Sequence, residues 1–476
     1  MDNKRLSLKE KAAYGIGAVG KDMVYMLSAS YVLYYYQDVL GVEAVIMGVI
    51  LMVARVFDAF NDPIMGIIVA KTKTRWGKFR PWLFIGTLTN AVVLFLLFAA
   101  PPSLDGSGLV AYAAVVYILW GVTYTMMDIP YWSMVPAFTD SGRERENLSA
   151  LARSCAGIGS ALITIITVMV VTWIGTAVAG ADAGAVAIER AGFKYFALII
   201  AVIFFVFILI TCVCIKEKSS VNMETVSLKE MLRALVQNDQ AMTMVITIVL
   251  VNTAVYITSN LVIYFFKYDI AGEGWKGNYT IFNTVGGAFQ IIAMVFLFAL
   301  LRKILKNNLM KMFYLSIISA LIGYVILLGE ALAGADNVVL FFIPAFFIYS
   351  AVGLLNVLVT VFLANTVDYG EFKNGRRDES VIFSMQTFVV KLASGVAALL
   401  ASVCLSIYHI SSDEEAVAAI SESSILGLRQ FMTLIPMAVL VIGLIIFWRK
   451  YKLNDDKLAE INAELKKRKE KTAEAQ

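Results

Sequence analysis

The sequence predicts an all-α membrane protein with twelve spanning helices in two six-helix halves, both termini cytoplasmic. Three observations carry this. Of 476 residues, 59% are hydrophobic and only 16% charged, whereas a soluble domain carries about a quarter charged residues. The charges are also bunched, leaving nine long stretches free of Asp, Glu, Lys and Arg, each near or above the ~18–20 apolar residues that cross a bilayer. Finally, the connections between stretches alternate between basic and nearly free of Lys and Arg. A soluble enzyme is excluded.

Span 1, about Ala12–Tyr36, carries Lys21 and Asp22. Met1 to Lys11 is polar without a cleavable signal pattern, so span 1 is expected to serve as its own insertion signal. Span 2, about Ala44–Ala70, carries Arg55, Asp58 and Asp62. Span 3 is Pro81–Leu104, and span 4 is Gly106–Met127 extended by Asp128 and its flanks. Span 5, Ser154–Ala181, follows Arg153, and span 6, Tyr195–Ile215, closes the first half. The longest polar connection, Lys216–Gln240, divides the chain six plus six. Spans 7 to 10 are Ala241–Phe266, Gly277–Leu301, Met312–Gly329 and Asn337–Val367. Span 11, about Ser380–Tyr408, carries Lys391, and span 12 is Gln430–Trp448. The tail Lys452–Gln476 is an amphipathic helix candidate whose Lys466-Lys-Arg-Lys469 suits anionic lipid. The expected organisation is therefore 1–215, a cytoplasmic central loop 216–240, 241–450, and a cytoplasmic tail 451–476.

Orientation follows from the loops. Lys71, Lys73, Arg75, Lys78 and Arg80 lie between spans 2 and 3, and Arg143 and Arg145 between spans 4 and 5. Lys216 and Lys218 follow span 6, Arg302, Lys303 and Lys306 follow span 8, and Lys373, Arg376 and Arg377 follow span 10. The alternate loops Gln37–Glu43, Pro101–Gly108, Glu330–Asp336 and Ile410–Glu422 hold no Lys or Arg. The positive-inside rule puts the basic loops and both termini in the cytoplasm. A faint echo supports the halves: Asp140-Ser-Gly-Arg-Glu-Arg-Glu146 after span 4, and Asp368-Tyr-Gly-Glu371 with Gly375-Arg-Arg-Asp-Glu379 after span 10. Parallel six-helix halves with a site near the midplane are the major facilitator architecture.

The net charge of +4 is ordinary for a protein with basic inner loops and does not imply nucleic acid. The four cysteines, Cys155, Cys212, Cys214 and Cys404, lie in apolar segments without metal-site spacing. No cofactor is expected.

An ionised side chain in mid-membrane costs at least ~2.5–3.5 kcal/mol. Lys21, Asp22, Arg55, Asp58, Asp62, Asp128, Arg153 and Lys391 balance in sign, and can do so only by converging on a polar cavity. Arg55, Asp58 and Asp62, at i, i+3 and i+7, share one helical face. Two carboxylates one turn apart repel unless a cation separates them: Arg55 on the structural reading, a bound Na⁺ or shared proton on the functional one. Pro63 lacks an N–H and so frees carbonyl oxygens as further ligands. In span 4, Tyr124, Thr125, Asp128 and Trp132 also share a face. A carboxylate beside an indole suits a sugar, accepting from hydroxyls while the ring covers the C–H face; alone, Trp132 would read equally as an interfacial anchor. Tyr31, Tyr34, Tyr35 and Tyr36 read as packing or interface residues.

Gly20-Lys-Asp22, Val53-Ala-Arg-Val-Phe-Asp-Ala-Phe-Asn-Asp-Pro63, Arg75-Trp-Gly-Lys-Phe-Arg-Pro-Trp82 and Ile118-Leu-Trp-Gly-Val-Thr-Tyr-Thr-Met-Met-Asp-Ile-Pro-Tyr-Trp-Ser-Met-Val-Pro136 resemble the glycoside–pentoside–hexuronide:cation symporters. So do Val367-Asp-Tyr-Gly-Glu-Phe-Lys373 and Gln386-Thr-Phe-Val-Val-Lys391. The likeness covers the whole chain, is strongest in the first half, and lies nearest the melibiose-carrying branch. It implies that Asp58, Asp62 and Thr125 bind the cation (Na⁺ as the metal, or H⁺) and that Lys21, Asp22, Asp128, Trp132 and Arg153 line the sugar, with Lys391 bridging from the other half. Arg55, Tyr124, Asn356, Gln386 and Thr387 would support these, and Arg75–Trp82 with Asp140–Arg145 would be inner gating contacts. The sequence departs from that branch at Asn356, where a tryptophan is usual, and at Ala29, where a tyrosine is.

The expected function is thus import of a small galactoside- or melibiose-like glycoside coupled to Na⁺ or H⁺ across the cell's inner (plasma) membrane. Its partners are the sugar, the monovalent cation and the lipid bilayer, with no nucleic acid. A hexuronide or xyloside symporter is the first rival, since Lys21, Arg153 or Lys391 could meet an anionic substrate. A lipid flippase is remote, because the polar set suits a small hydroxylated solute. The lone histidine, His409, sits at the end of span 11, so no His-based relay supports a membrane enzyme.

Overall fold

A computed structural model describes residues 6–135, 142–215, 217, 228–270, 274–335, 337–375, 379–410 and 420–474. In chain order the helices are α1 (Leu8–Tyr34), α2 (Ala44–Lys71), α3 (Arg80–Leu97), α4 (Gly106–Ser133), α5 (Gly142–Ala179), α6 (Ala185–Cys214), α7 (Leu228–Gln237) and α8 (Asp239–Tyr264). Then follow α9 (Trp275–Ile292), α10 (Phe298–Ile304), α11 (Leu309–Leu332), α12 (Phe342–Asn374), α13 (Glu379–Ile407), α14 (Glu422–Lys450) and α15 (Asp455–Glu474). A π-helical turn, Ala293–Leu297, fuses α9 to α10 as one span. Among the described residues, eleven spans are long and apolar enough to cross a membrane. The twelfth is α1, whose 27 residues are long enough but include Lys21 and Asp22. No strand occurs among the described residues; Thr74 and Gly77 form an isolated bridge.

Helix starts follow side-chain chemistry. A reciprocal capping box opens α1: Ser7 Oγ accepts from Glu10 N at 3.2 Å while Glu10 Oε2 accepts from Ser7 N at 2.9 Å. Asn238 caps α8 and Asn308 caps α11, each accepting from a backbone N–H three residues on. Within the spans, Thr164, Thr167, Thr172, Thr243 and Thr247 return their hydroxyls to the carbonyl four residues back, which keeps them satisfied in an apolar setting.

Several boundaries differ from the hydropathy reading for one reason: apolarity marks the lipid-crossing part of a helix and not its ends. Helix α5 starts at Gly142, so Arg143 and Arg145 lie in helical backbone and not in a loop. Val367 to Lys373 form the last two turns of α12, which ends at Gly375 in a left-handed conformation (φ 69°). The central connection contains α7, built of strong helix formers. The tail forms α15, but its apolar face is covered by protein: Ile461 and Leu465 are buried. Arg468 caps the end of α12 by donating to the Phe372 carbonyl at 3.1 Å.

The chain divides into two compact units: Met1–Thr225 with Ala398–Ser421, and Val226–Ala397 with Glu422–Gln476. In unit 1, α1 packs on α5 and α6, and α4 on α2 and α3. A Cβ on Gly159 of α5 would land on the Val19 carbonyl of α1, so α1 and α5 touch backbone to backbone. In unit 2, α8 packs on α14 and α12 covers α9 and α11. The first spanning helix of each unit, α1 and α8, ends in a π-turn, Tyr35–Val39 and Phe265–Asp269. Each turn carries an edge-on aromatic pair, Tyr35–Tyr36 and Phe265–Phe266, a further echo between halves. The four tyrosines at the end of span 1 are all buried, Tyr34 donating to Glu189 and Tyr35 and Tyr36 to the carbonyls ending α3. They are packing residues.

Candidate substrate and cation site

The site of unit 1 begins with a clasp between α1 and α4. Tyr14 Oη donates to the Tyr131 carbonyl at 2.7 Å, Tyr131 Oη donates to the Tyr14 carbonyl at 2.5 Å, and the rings stack at 4.4 Å. Two turns along α1, this register puts Lys21 Nζ 2.8 Å from Asp128 Oδ1 and 3.1 Å from Asp22 Oδ2. Lys21 also donates to Tyr124 Oη at 3.1 Å. The ammonium lies 5.5 Å from the Tyr124 ring centre and 5.3 Å from that of Trp132, both within cation–π range. Its side chain is 6% exposed, whereas Asp22 and Asp128 keep 19% and 16%. The base is sealed in while the acids retain an open side able to accept from a hydroxylated ligand. Arg153, exposed on α5, holds its guanidinium 5.0 Å from the other end of the aromatic set, Trp132. Lys21 and Arg153 balance Asp22 and Asp128, leaving no surplus charge.

The second cluster joins α2 to α4. Buried Arg55 reaches Asp58 Oδ2 at 3.4 Å and is surrounded by the rings of Tyr25, Tyr117 and Trp120 at 5.6–5.8 Å. Asp58 presses on bare backbone: a Cβ at Gly121 would come within 2.6 Å of its Oδ1. Asp62 is less buried, and its Oδ1 accepts from Thr125 Oγ1 at 2.9 Å. The two carboxylates of the i, i+4 pair are therefore treated differently, one by a guanidinium and one by a hydroxyl. Thr125, having donated its hydrogen to Asp62, keeps lone pairs for a hard cation. Between them Asn61 has a buried Nδ2 without a hydrogen-bond partner. Asn61, Gly121, Tyr14 and Tyr131 were not picked out by sequence reasoning; only Asn61, adjacent to Asp62 and one turn from Asp58, offered a positional signal.

The remaining expected residues are dispersed or lie beyond description. Lys391 is buried on α13 in unit 2, and Asn356 is exposed on α12. The side chains of Gln386, Thr387, Pro63, Arg143 and Arg145, together with residues 140–141, fall outside the described set. The segment Arg75–Trp82 is held by an unforeseen residue, Glu217. Its carboxylate accepts from the N–H groups of Lys78, Phe79 and Arg80 at 2.7, 3.0 and 3.1 Å, at the positive start of α3. Arg80 in turn donates through Nε and a terminal nitrogen to the Cys212 carbonyl.

Helices that cross a bilayer around a desolvated ion-pair cluster define a secondary transporter of the major facilitator type. With residues 13–455 matching the MFS/sugar transport protein family, the chain belongs to that family. It is similar to the isoprimeverose transporter of Lactiplantibacillus pentosus, 29% identical over 401 residues that cover 83% of this chain and 80% of that one. It is also similar to a lactose permease of Lactobacillus helveticus, 28% identical over 490 residues covering 98% and 73%. In fold it matches a crystal structure of a bacterial homologue of the human lysosomal transporter Spinster, with TM-score 0.65 at 10% identity over 95% of this chain and 97% of that one. The resemblance to the glycoside–pentoside–hexuronide:cation symporters is thereby borne out. The protein is a multi-pass sugar symporter of the plasma membrane that moves its substrate with a coupling cation, and it is not an enzyme.

Proposed function

We propose that the protein imports a small neutral glycoside of the galactoside or melibiose-like kind, coupled to Na⁺. Asp22 and Asp128 accept from sugar hydroxyls, Trp132 covers a C–H face, Lys21 holds both carboxylates in place, and Arg153, the exposed cation, donates to ring oxygens. Asp58, Asp62 and Thr125, with the carboxamide of Asn61, supply the hard oxygens for the cation. Lys391, Gln386, Thr387 and Asn356 complete the substrate contacts from the second half, and both termini face the cytoplasm.

The observation that carries this reading is the sealed Lys21 ammonium shared by two half-open carboxylates beneath an indole. The charge balance of the unit 1 cluster suits a neutral glycoside, whereas a hexuronide would take Lys391 of unit 2 as its counter-charge. A xyloside remains the second reading, supported by the likeness to an isoprimeverose transporter. Cation binding screens Asp58 and Asp62 from each other and stiffens α2 against α4, the helix that also carries Asp128 and Trp132. Coupling is then a shared binding free energy, and it must be reciprocal.

Uptake of labelled melibiose, a xyloside and a glucuronide into vesicles, with and without a Na⁺ gradient, tests the proposal. Na⁺-driven melibiose accumulation is expected. It should vanish in Asp58→Asn and Asp62→Asn while sugar exchange persists. Glucuronide-only uptake would overturn the neutral-substrate reading, and uptake driven equally by pH alone would replace Na⁺ with H⁺.

A further inference from the structure

Unit 2 carries a polar surface that no part of the transport reading uses. On α8, Asn252, Tyr256 and Ser259 follow one another at i, i+4 and i+7, so they share a face, with Asn260 at its edge. Asn252, Tyr256 and Asn260 are partly exposed and Ser259 is exposed. Towards the helix ends the same face is closed, since Val245 and Ile263 are buried. The opening is confined to the middle of a span running Asp239–Asp269. A lipid-facing stretch would be apolar here, because an amide in hydrocarbon loses water without replacement. The face is therefore wet.

Its chemistry is pre-set. Asn252 donates through Nδ2 to the Ile248 carbonyl at 2.9 Å, and Asn260 likewise to the Tyr256 carbonyl at 2.7 Å. Each carboxamide is held by its own helix, so its Oδ1 points away as a fixed, uncharged acceptor. We infer that the Asn252–Tyr256–Ser259 face of α8, with Asn260, is a neutral hydroxyl-binding surface for the transported glycoside on unit 2. This rests on the glycoside reading above and extends it to residues outside the charged cluster. Neutral acceptors grip hydroxyls without the desolvation penalty of carboxylates, which suits a surface that must release sugar in every cycle.

The test is melibiose uptake by the full-length carrier with Asn252→Leu, Ser259→Ala and both together, beside the Na⁺ concentration that half-stimulates uptake. Each lost hydrogen bond should raise the half-saturating melibiose concentration roughly two- to tenfold, with the Na⁺ requirement unchanged. Melibiose should also slow labelling of an Asn252→Cys variant by a charged thiol reagent, measured against the parent. A double variant that folds and saturates like the parent would overturn the inference, as would an Asn252→Cys variant that the reagent cannot label. Should the parent take up none of the glycosides while the face still labels without sugar protection, the glycoside reading falls and this surface with it. Parental uptake with an indifferent α8 sinks the surface alone.

Discussion

The two units differ most in what they place inside the membrane. Unit 1 gathers Asp22 and Asp128 on Lys21, sets Lys21 and Arg153 against Trp132, and carries Arg55, Asp58 and Asp62 on α2. Unit 2 carries Lys391, and Arg429 paired with Asp269 at 2.5 and 2.7 Å, while its open polar face on α8 is made of amides and hydroxyls. Both units share a π-turn at the end of their first spanning helix, so a common framework carries different electrostatics. Charges can be repelled, neutralised and exchanged for an ion, and neutral amides cannot. On the proposed reading, energy coupling falls to unit 1 and unit 2 supplies contacts of lower stakes.

The largest test of this contrast is Lys21. Removing one partner of a buried ion pair costs about 3–5 kcal/mol, and here two carboxylates lose their cation together. Lys21→Gln should therefore weaken sugar binding by more than about 100-fold, read as the melibiose concentration that protects or saturates. Adding Asp22→Asn should recover part of the loss by restoring neutrality. Near-parental binding in Lys21→Gln alone would make the cluster ornamental to transport.

Arg429 gives the complementary result. Asp269 is 4% exposed on its side chain, so Arg429→Met alone should destabilise the protein by about 3 kcal/mol, seen as a lower Tm. The pair Asp269→Leu with Arg429→Met should regain most of that stability, since apolar replacement of a buried pair is often neutral. Transport in the double variant should be near normal. A double variant that is stable yet cannot transport would mean that unit 2 also stores functional charge.

Gly121 sharpens the contrast within unit 1. The added methyl of Gly121→Ala would sit 2.6 Å from Asp58 Oδ1, and overpacking of this kind costs roughly 1–3 kcal/mol. Asp58 must yield, so the Na⁺ concentration for half-stimulation should rise about tenfold. Sugar exchange without Na⁺ should be little changed. Equal losses in both would place Asp58 in the sugar site instead.

Much of this was legible because intramembrane charges stand out against an apolar background. Asp58 and Asp62 announce themselves by helical spacing, and Asp128 by its aromatic neighbours. Pairing was less legible. Arg55 had a free choice of two carboxylates, and its preference for Asp58 depends on the Tyr25, Tyr117 and Trp120 rings, which come from other helices. Gly121 and the Tyr14–Tyr131 clasp are silent in sequence, since a glycine or a tyrosine in a membrane helix is common. Helix ends were misread at Gly142 and Asn374 because hydropathy reports lipid and the backbone reports hydrogen bonds. The cover of the tail's apolar face was not legible for a related reason: an amphipathic pattern shows that a face will be covered, but not by what, and here protein buries Ile461 and Leu465.

The smallest expected effect, and the finest probe of unit 2, is at Asn356. A side-chain amide in mid-span either pairs with a neighbouring helix or meets water. Asn356 is exposed, and its own carbonyl accepts from Thr360 Oγ1 at 3.3 Å through ordinary helix back-bonding. The residue is therefore open and not packed against a neighbouring helix, as a residue on a wet surface would be. An indole there would remove two donors and an acceptor and add a stacking plane. Asn356→Trp should shift preference toward the compact α-galactoside melibiose and away from raffinose by a few-fold, about 1 kcal/mol. Na⁺ stimulation should be unaltered, because Asp58 and Asp62, the carboxylates proposed for the cation, lie in unit 1. Competition by melibiose, raffinose, a xyloside and a glucuronide against labelled sugar reads the ranking directly. An unchanged ranking in a well-folded variant would remove Asn356 from the substrate's path, and a changed Na⁺ requirement would break the division of labour between the two units.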